Sequence, residues 1–314
     1  MRGAAPVSAT PGARSPRRVP CRTARTTRPA GPSRGSRPPP AARGPTSWCT
    51  SATTSTGRTR RGRTTRRPTP AAPRPPTGPA VVVRENSEGE YAGLGGRNLG
   101  GRGPGGEVAA QRALFTEVGC ERIMRFAFDL ARTRAHKKVS SVTKSNAQQY
   151  GMVLWDDVFK RVAADYPDGR TESVLVDAMS AKFVLKPEDL SVVVASNLNA
   201  DILSDLGSAL AGSLGLAASA NLNPERRFPS MFEPVHGSAP NIAGQGLANP
   251  IGAVGSAALM LEHFGLSDQA ACLHKAIEAA TAAGVLTRDV GGSASTEDVT
   301  KALIDALNLR GCPR

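Results

Sequence analysis

The first 79 residues contain no Lys, Asp, Glu, Leu, Ile or Phe, and Trp48 is their only aromatic residue. A segment so poor in large apolar side chains cannot bury enough surface to offset the entropy of ordering its backbone, so residues 1–79 are expected to be disordered. What the segment does contain is 17 Arg and 16 of the chain's 25 Pro. An arm for nucleic acid would mix Lys with Arg and interleave aromatics for stacking. An organelle transit peptide would form an amphipathic helix, and no apolar face exists here. Arg, Pro, Ala, Gly and Thr are what a GC-rich coding region yields when read out of frame, and that reading accounts best for the composition. The formal charge of +14 resides in this segment: with its 17 Arg subtracted from the chain's 40 basic residues, 80–314 carry 23 basic against 26 acidic residues, a net −3. A nucleic-acid partner is therefore not expected.

Other absences narrow the class further. Cys21, Cys49, Cys120, Cys272 and Cys312 are odd in number, widely scattered and form no C-x-x-C pair. That pattern fits a reducing, cytoplasmic compartment. The four histidines have no metal-ligand spacing. No apolar run reaches the length of a membrane span and no hydrophobic signal region follows the N-terminal arginines, so a soluble protein with no membrane partner is expected.

From Ala80 the texture changes. Val81–Val83 reads as a short buried strand that delivers Arg84 to its end. The Gly-rich stretch 93–106 reads as a loop; Gly101, Gly103 and Gly106 have G-x-G-x-x-G spacing, but no apolar strand precedes them and Pro104 interrupts them, so a phosphate cradle is not expected. Residues 107–116 are ambiguous between strand and helix, and 117–132 read as a helix. A strand over 138–143 ends at Lys144, a helix covers 152–164, a strand at 174–176 stops on Asp177, and a strand at 192–195 leads into a helix. After Met231 a short strand runs into a loop of Gly, Pro and Asn, and Pro250 opens an apolar helix through Phe264. A helix over 267–283, a brief strand near 285–287 and a helix over 296–307 follow, the last preceded by Ser295 and Asp298 in capping-box spacing. Strands alternating with helices predict an α/β fold with parallel character. Charged residues recur at strand ends, where α/β proteins meet ligands.

The stretch SNLNADILSDLGSALAGSLGL, residues 196–216, places Asp201 and Asp205 four residues apart on one helical face. Two carboxylates converging on one point suit a hard divalent cation; the same pair would also complement the helix dipole from a solvated first turn.

The run VVVRENSEGEY, the pieces TKSNAQ, LVDAM and NLNADILSDL, and the stretch FPSMFEPVHGSAPNIAGQGLANPIG, in that order, resemble the metal-dependent β-decarboxylating dehydrogenases of the isocitrate and isopropylmalate family. RENSEGEY, TKSNAQ and PERRFPSMFEPVHG look most like the branch acting on tartrate and D-malate. The resemblance covers about residues 80–308, leaving 309–314 as a tail. It implies an isopropylmalate-dehydrogenase-like two-domain α/β fold with central mixed sheets, truncated at its N-terminal part. It also implies oxidation and decarboxylation of a small 2-hydroxy dicarboxylic acid with NAD and Mg²⁺ or Mn²⁺. Carried onto this chain, it makes Arg84 a ligand of a substrate carboxylate, Tyr91 a proton donor and Lys144 the catalytic lysine. Asp177, Asp201 and Asp205 match the metal ligands. In the family the lysine and the first of these aspartates come from a second subunit, so a homodimer with shared sites is implied. His236, Gly237, Ser238, Ala239, Pro240 and Asn249 fall in the loop for the adenosine part of the dinucleotide, and Asn146 near its nicotinamide end.

Two departures stand out. Asn241 occupies the place of the family's ribose-binding Asp, while the neighbouring Ile242 offers no cation to a 2′-phosphate, which keeps NAD ahead of NADP. The family's opening strand, its Gly-rich turn and two further arginines have no counterpart in residues 1–79. A 3-isopropylmalate or isocitrate dehydrogenase is the alternative within the family. An inactive remnant or an interaction module with a basic arm is the alternative outside it.

Overall fold

The structure is a computed structural model that describes residues 49–51, 80–99 and 106–309. Expectations for residues 1–48, 52–79 and 310–314, and for Gly101 and Gly103, lie outside the described residues. The described elements are strands β1 (Cys49–Ser51), β2 (Val81–Arg84), β3 (Gly89–Leu99), β4 (Glu107–Leu114), β5 (Lys138–Thr143), β6 (Arg170–Leu175), β7 (Val192–Ala195), β8 (Ala218–Asn221) and β9 (Met231–Pro234). The helices are α1 (Glu117–Arg132), α2 (Gly151–Ala164), α3 (Val176–Leu185), α4 (Asn197–Ala211), α5 (Ile251–His263), α6 (Ser267–Ala282) and α7 (Thr296–Leu309).

Seven strands form one mixed sheet in the order β6-β5-β7-β2-β1-β8-β9. β6, β5, β7 and β2 run parallel, whereas β1 is antiparallel to both its neighbours and β8 to β9. The valine runs explain the middle of this sheet. Side chains alternate between faces along a strand: Val81 and Val83 of β2 and Val192 and Val194 of β7 meet α1 and α2 through Met124, Phe128, Trp155 and Val158. Val82, Val193 and Ala195 point the other way, toward Met179 and Phe183 of α3 and Ala200 and Leu203 of α4. A strand buried on both faces reads as an unbroken apolar run, which is why VVV and VVVA were visible in the sequence. A third cluster joins Ile251, Ala276, Ala280, Val299 and Leu303 of α5, α6 and α7.

Helix signals acted as local physics requires. Thr116 caps α1 by accepting the Gly119 amide at 3.0 Å, with Glu117 in the first turn and Arg132 in the last. Ser295 and Asp298 form the reciprocal cap of α7, Asp298 N donating to Ser295 Oγ at 3.1 Å and Ser295 N to Asp298 Oδ2 at 2.9 Å.

Five expectations are corrected. Cys49–Ser51, within the segment expected to be disordered, pair with β2 and β8; backbone donors and acceptors on two strand edges can be satisfied by an extended strand of any composition. The stretch from Gly93 is strand, not loop, because β3 pairs with β4 as a two-stranded antiparallel ribbon. Gly95 permits the close approach: a Cβ there would lie 2.2 Å from Ala110 O. Asp177 lies in the first turn of α3 and not on a strand end, since β6 spans Arg170–Leu175. Residues 285–287 join no sheet; they lead into a single 3-10 turn at Arg288–Val290. The last helix continues to Leu309, two residues beyond the expected end.

Candidate active site

β2 ends on Arg84, and the chain turns through residues 85–88 before β3 carries Tyr91. Two buried carboxylates hold that turn. Glu85 accepts the Ser87 amide (3.1 Å), the Ser87 hydroxyl (2.5 Å), the Glu88 amide (2.8 Å) and Arg122 (2.8 Å). Glu88 accepts the amide and hydroxyl of Thr116 at 2.9 and 2.8 Å. Burial raises the Glu88 carboxyl above its ordinary value, with the Thr116 hydrogen bonds opposing. The N-terminus of α1 is thus tied to the turn that sets Tyr91 relative to Arg84.

Beside β2, β7 delivers α4. Asn197, at the start of α4, accepts from Arg84 Nε at 2.9 Å and Arg84 Nη2 at 2.7 Å and donates to Glu88 O at 3.0 Å. Arg84 Nη1 is ion-paired with Asp201, and the guanidinium lies 5.4 Å from the centre of the Tyr91 ring. Tyr91 is 56% exposed and donates its hydroxyl to Asp201 Oδ2 at 3.1 Å. That hydrogen bond, with the Asp201 charge behind it, raises the Tyr91 hydroxyl above its ordinary value. One turn along α4, Asp205 is raised too, first by loss of water around its carboxyl and then by the Asp201 charge, while Arg84 opposes. The Asp201 charge thus reaches Asp205 one turn along the same helix. A pair of mutually repelling carboxylates is a donor set that a hard divalent cation relieves.

Lys144 and Asp177 form a second group. β5 and β6 are parallel neighbours, so the residue after β5 and the first turn after β6 emerge side by side. Lys144 Nζ donates to Asp177 Oδ1 at 2.6 Å, which lowers the Asp177 carboxyl below its ordinary value. Among the described residues no three His, Cys, Asp or Glu are placed to hold one metal ion. The expected trio Asp177, Asp201 and Asp205 is thus divided within one chain. The sheet order gives the reason: β6, which precedes Asp177, lies two strand positions from β7, which precedes Asp201, or about 10 Å at ordinary strand spacing.

The third group is the loop after β9. Gly237, Ser238, Ala239, Pro240 and Asn241 are exposed and His236 is partly so. Ala239 has φ 41°, in the left-handed region that non-glycine residues seldom occupy, and a short 3-10 turn over Pro240–Ile242 follows. Backbone held in this region costs energy that the surrounding structure must offset. Asn249 differs from its loop neighbours. It is 7% exposed, donates to Asp289 at 3.1 Å and accepts the Ile251 amide at 3.0 Å, so both ends of its amide serve the fold. Asn146 is exposed in the turn after β5, near Lys144.

Sequence reading singled out neither Asn197 nor Asp289. Asp289 gathers Asn249, Thr287 at 2.5 Å and Ser213 at 2.5 Å, and these bonds hold its carboxyl below the ordinary value although burial pushes it up. A lone Asn or Asp carries no spacing signal, so only contacts identify such residues.

A model of the isocitrate/isopropylmalate dehydrogenase family matches residues 66–306. The chain is 57% identical over 227 residues to a probable tartrate dehydrogenase/decarboxylase of Agrobacterium vitis, covering 72% of this chain and 63% of that protein. It is 49% identical over 233 residues to the tartrate dehydrogenase/decarboxylase of Pseudomonas putida, again covering 72% and 63%. Its identity to the decarboxylating D-malate dehydrogenase of Escherichia coli is 48%, over 71% of this chain and 62% of the other. Among solved structures, isocitrate dehydrogenase from Methylococcus capsulatus superposes with a TM-score of 0.67 at 37% identity, covering 73% of this chain and 67% of that one. The chain spans about 63% of the length of the curated relatives it matches.

Proposed function

We propose, from the premise that this chain belongs to the isocitrate/isopropylmalate dehydrogenase family, that it oxidises and decarboxylates a small 2-hydroxy dicarboxylic acid of the tartrate or D-malate kind, using NAD and Mg²⁺ or Mn²⁺. The observation that carries the reading is the meeting of Arg84, Tyr91, Asp201 and Asp205 where β2, β3 and α4 come together.

Each side chain suits one part of that chemistry. Arg84 offers a planar fork matched to a carboxylate, which a Lys could not supply. Asp201 and Asp205 would hold the divalent cation, with Asp177 completing the set from a second copy. A cation there would supply Lewis acidity toward the substrate's hydroxyl and the carbonyl oxygen that replaces it. NAD would accept the hydride at its nicotinamide, with its adenosine end on the loop 236–241. Lys144 would come from that same second copy and, when present as the free amine, receive the hydroxyl proton as the C–H electron pair departs. When the C–C bond breaks and carbon dioxide leaves, Tyr91 gives a proton to the carbon. A phenol is protonated at neutral pH, as an acid in this step must be. Asn241 beside Ile242 favours NAD, since neither carries a cation for a 2′-phosphate. A cytoplasmic enzyme is the corresponding setting; among the described residues no helix is long and apolar enough to cross a membrane.

The test is turnover by the purified chain with Mn²⁺ and NAD, offered D-malate, tartrate, 3-isopropylmalate or isocitrate in turn. Nicotinamide reduction and carbon dioxide release with D-malate or tartrate, lost in Tyr91→Phe or Asp205→Asn, would support the reading. Preference for isocitrate or 3-isopropylmalate would move the substrate within the family. A folded chain that turns over none of the four would be an inactive remnant, and the proposal would fall.

A further inference from the structure

A guanidinium has two edges that can each grip a planar acceptor, one formed by Nε with Nη2 and the other by Nη1 with Nη2. In Arg84 the first edge is spent inside the protein: Nε and Nη2 both donate to Asn197 Oδ1, at 2.9 and 2.7 Å. The second edge carries Nη1, which is paired with the 41% exposed Asp201. Asn197 cannot easily yield. It is 3% exposed, and its other amide end donates to Glu88 O at 3.0 Å. The β2–β3 turn also packs against it: a Cβ at Gly89, where φ is 84°, would lie 3.3 Å from Asn197 Cβ.

We infer that Asn197 is a positioning residue, which fixes the Nε edge of Arg84 so that its terminal Nη1–Nη2 edge is the one presented to a substrate carboxylate. The inference rests on the proposed role of Arg84 and adds the group that aims it. An Arg has four rotatable side-chain bonds, and its Nη1 already sits on Asp201, so a single contact there would leave the guanidinium free to turn about that pair. With Asn197 in place, the plane of the guanidinium is set by a neutral acceptor that does not compete for charge. Asn197 touches no reacting atom, and its effect passes through Arg84.

The experiment uses the full chain as wild type, Asn197→Ala and Asn197→Asp, with circular dichroism to establish that each is folded. Two quantities are read: the Arg84 Nε–H resonance, assigned by its loss in Arg84→Lys, and the dissociation constants of D-malate with Mg²⁺ and of NAD. Asn197→Ala should broaden the Arg84 resonance through faster exchange and weaken D-malate binding roughly ten- to hundredfold, the scale of a lost hydrogen bond to a charged group. NAD binding should be unchanged. Asn197→Asp keeps an acceptor for the Nε edge but adds a charge that competes for the guanidinium and loses the donor to Glu88 O, so it should recover the Arg84 resonance and not D-malate binding. D-malate affinity within twofold of wild type in Asn197→Ala would overturn the inference, and so would equal weakening of D-malate and NAD, the mark of a purely structural role. Wild-type protein that binds no D-malate, with an Arg84 resonance still dependent on Asn197, would refute the proposed substrate while upholding the clamp on Arg84.

Discussion

Glu172→Gln is expected to remove an acid-sensitive tie between β5, β6 and α3. Glu172 and Ser140 are register partners on adjacent parallel strands. The Ser140 hydroxyl donates to Glu172 Oε1 at 2.6 Å, Lys182 of α3 lies at 2.6 Å and Lys138 of β5 at 3.0 Å. Burial alone would raise this carboxyl; the bonds from Lys182, Ser140 and Lys138 outweigh it and bring it down to about 2 from an ordinary 4.5. At about 1.36 kcal/mol per unit, that displacement corresponds to about 3.4 kcal/mol at neutral pH. Glu172 keeps 28% exposure, so water screens the pairs and about 2 kcal/mol is the better expectation.

The sign follows from the direction of the shift. A carboxyl lowered in the folded state contributes fully above its unfolded value near 4.5 and loses that contribution as pH falls toward 2. By pH 3 about three-fifths should be gone. Urea unfolding followed by far-ultraviolet circular dichroism would measure it, with both proteins compared at pH 7 and pH 3. Wild type should exceed Glu172→Gln by about 2 kcal/mol at pH 7 and by about 1 kcal/mol or less at pH 3. A difference that is the same at both values would show that the two lysines do not hold Glu172 ionised, and the account of this corner of the sheet would be wrong.

Arg122→Met should cost about 3–5 kcal/mol of unfolding free energy, because it strands the Glu85 carboxylate in a site where the pair is 13% and 4% exposed; a loss under about 1 kcal/mol would mean that the Ser87 and Glu88 donors satisfy Glu85 alone. Lys144→Met and Asp205→Asn should each be inactive by themselves. Mixed in equal amounts under conditions of subunit exchange, they should recover roughly a quarter of wild-type activity, since half the dimers would hold one intact site. No recovery in a mixture shown to contain mixed dimers would place both groups in one chain.

The parts of the fold legible in the sequence are those whose pattern is local and whose burial is two-sided or strongly one-sided. α1 begins and ends where Thr116, Glu117 and Arg132 place it, and β7 is the run VVVA. The ribbon β3–β4 was hidden because every residue of β4 is exposed and three glycines interrupt β3; a pair that meets no core leaves no alternation to read. α3 was hidden because it opens on Leu175 with no side-chain cap and is only weakly amphipathic. β8 is built of Ala, Ser and Asn, which carry no strand preference. At the site, four-residue spacing marks Asp201 and Asp205 as neighbours on one face of α4. It could not foretell Asn197, whose importance lies in contacts to Arg84 and Glu88 over more than a hundred residues of separation.

The run RENSEGEY is best understood as one physical unit with two layers. Glu85 and Glu88 are its buried layer: they close the turn on its own amides and fasten it to Arg122 and Thr116 of the α1 end. Arg84 and Tyr91 are its outer layer, the pair proposed to do the work, and both reach the same carboxylate, Asp201. A turn left to itself would let the end of β2 and the start of β3 drift independently, because loop backbone is held only by the bonds it makes. Here the two buried glutamates fix the offset between the two working residues, and Asn197 ties that offset to α4 through the Glu88 carbonyl. The motif is contiguous because its span is set by a turn. The precision of the site therefore derives as much from the N-terminus of α1, which touches none of the working groups, as from the helix that carries Asp201 and Asp205.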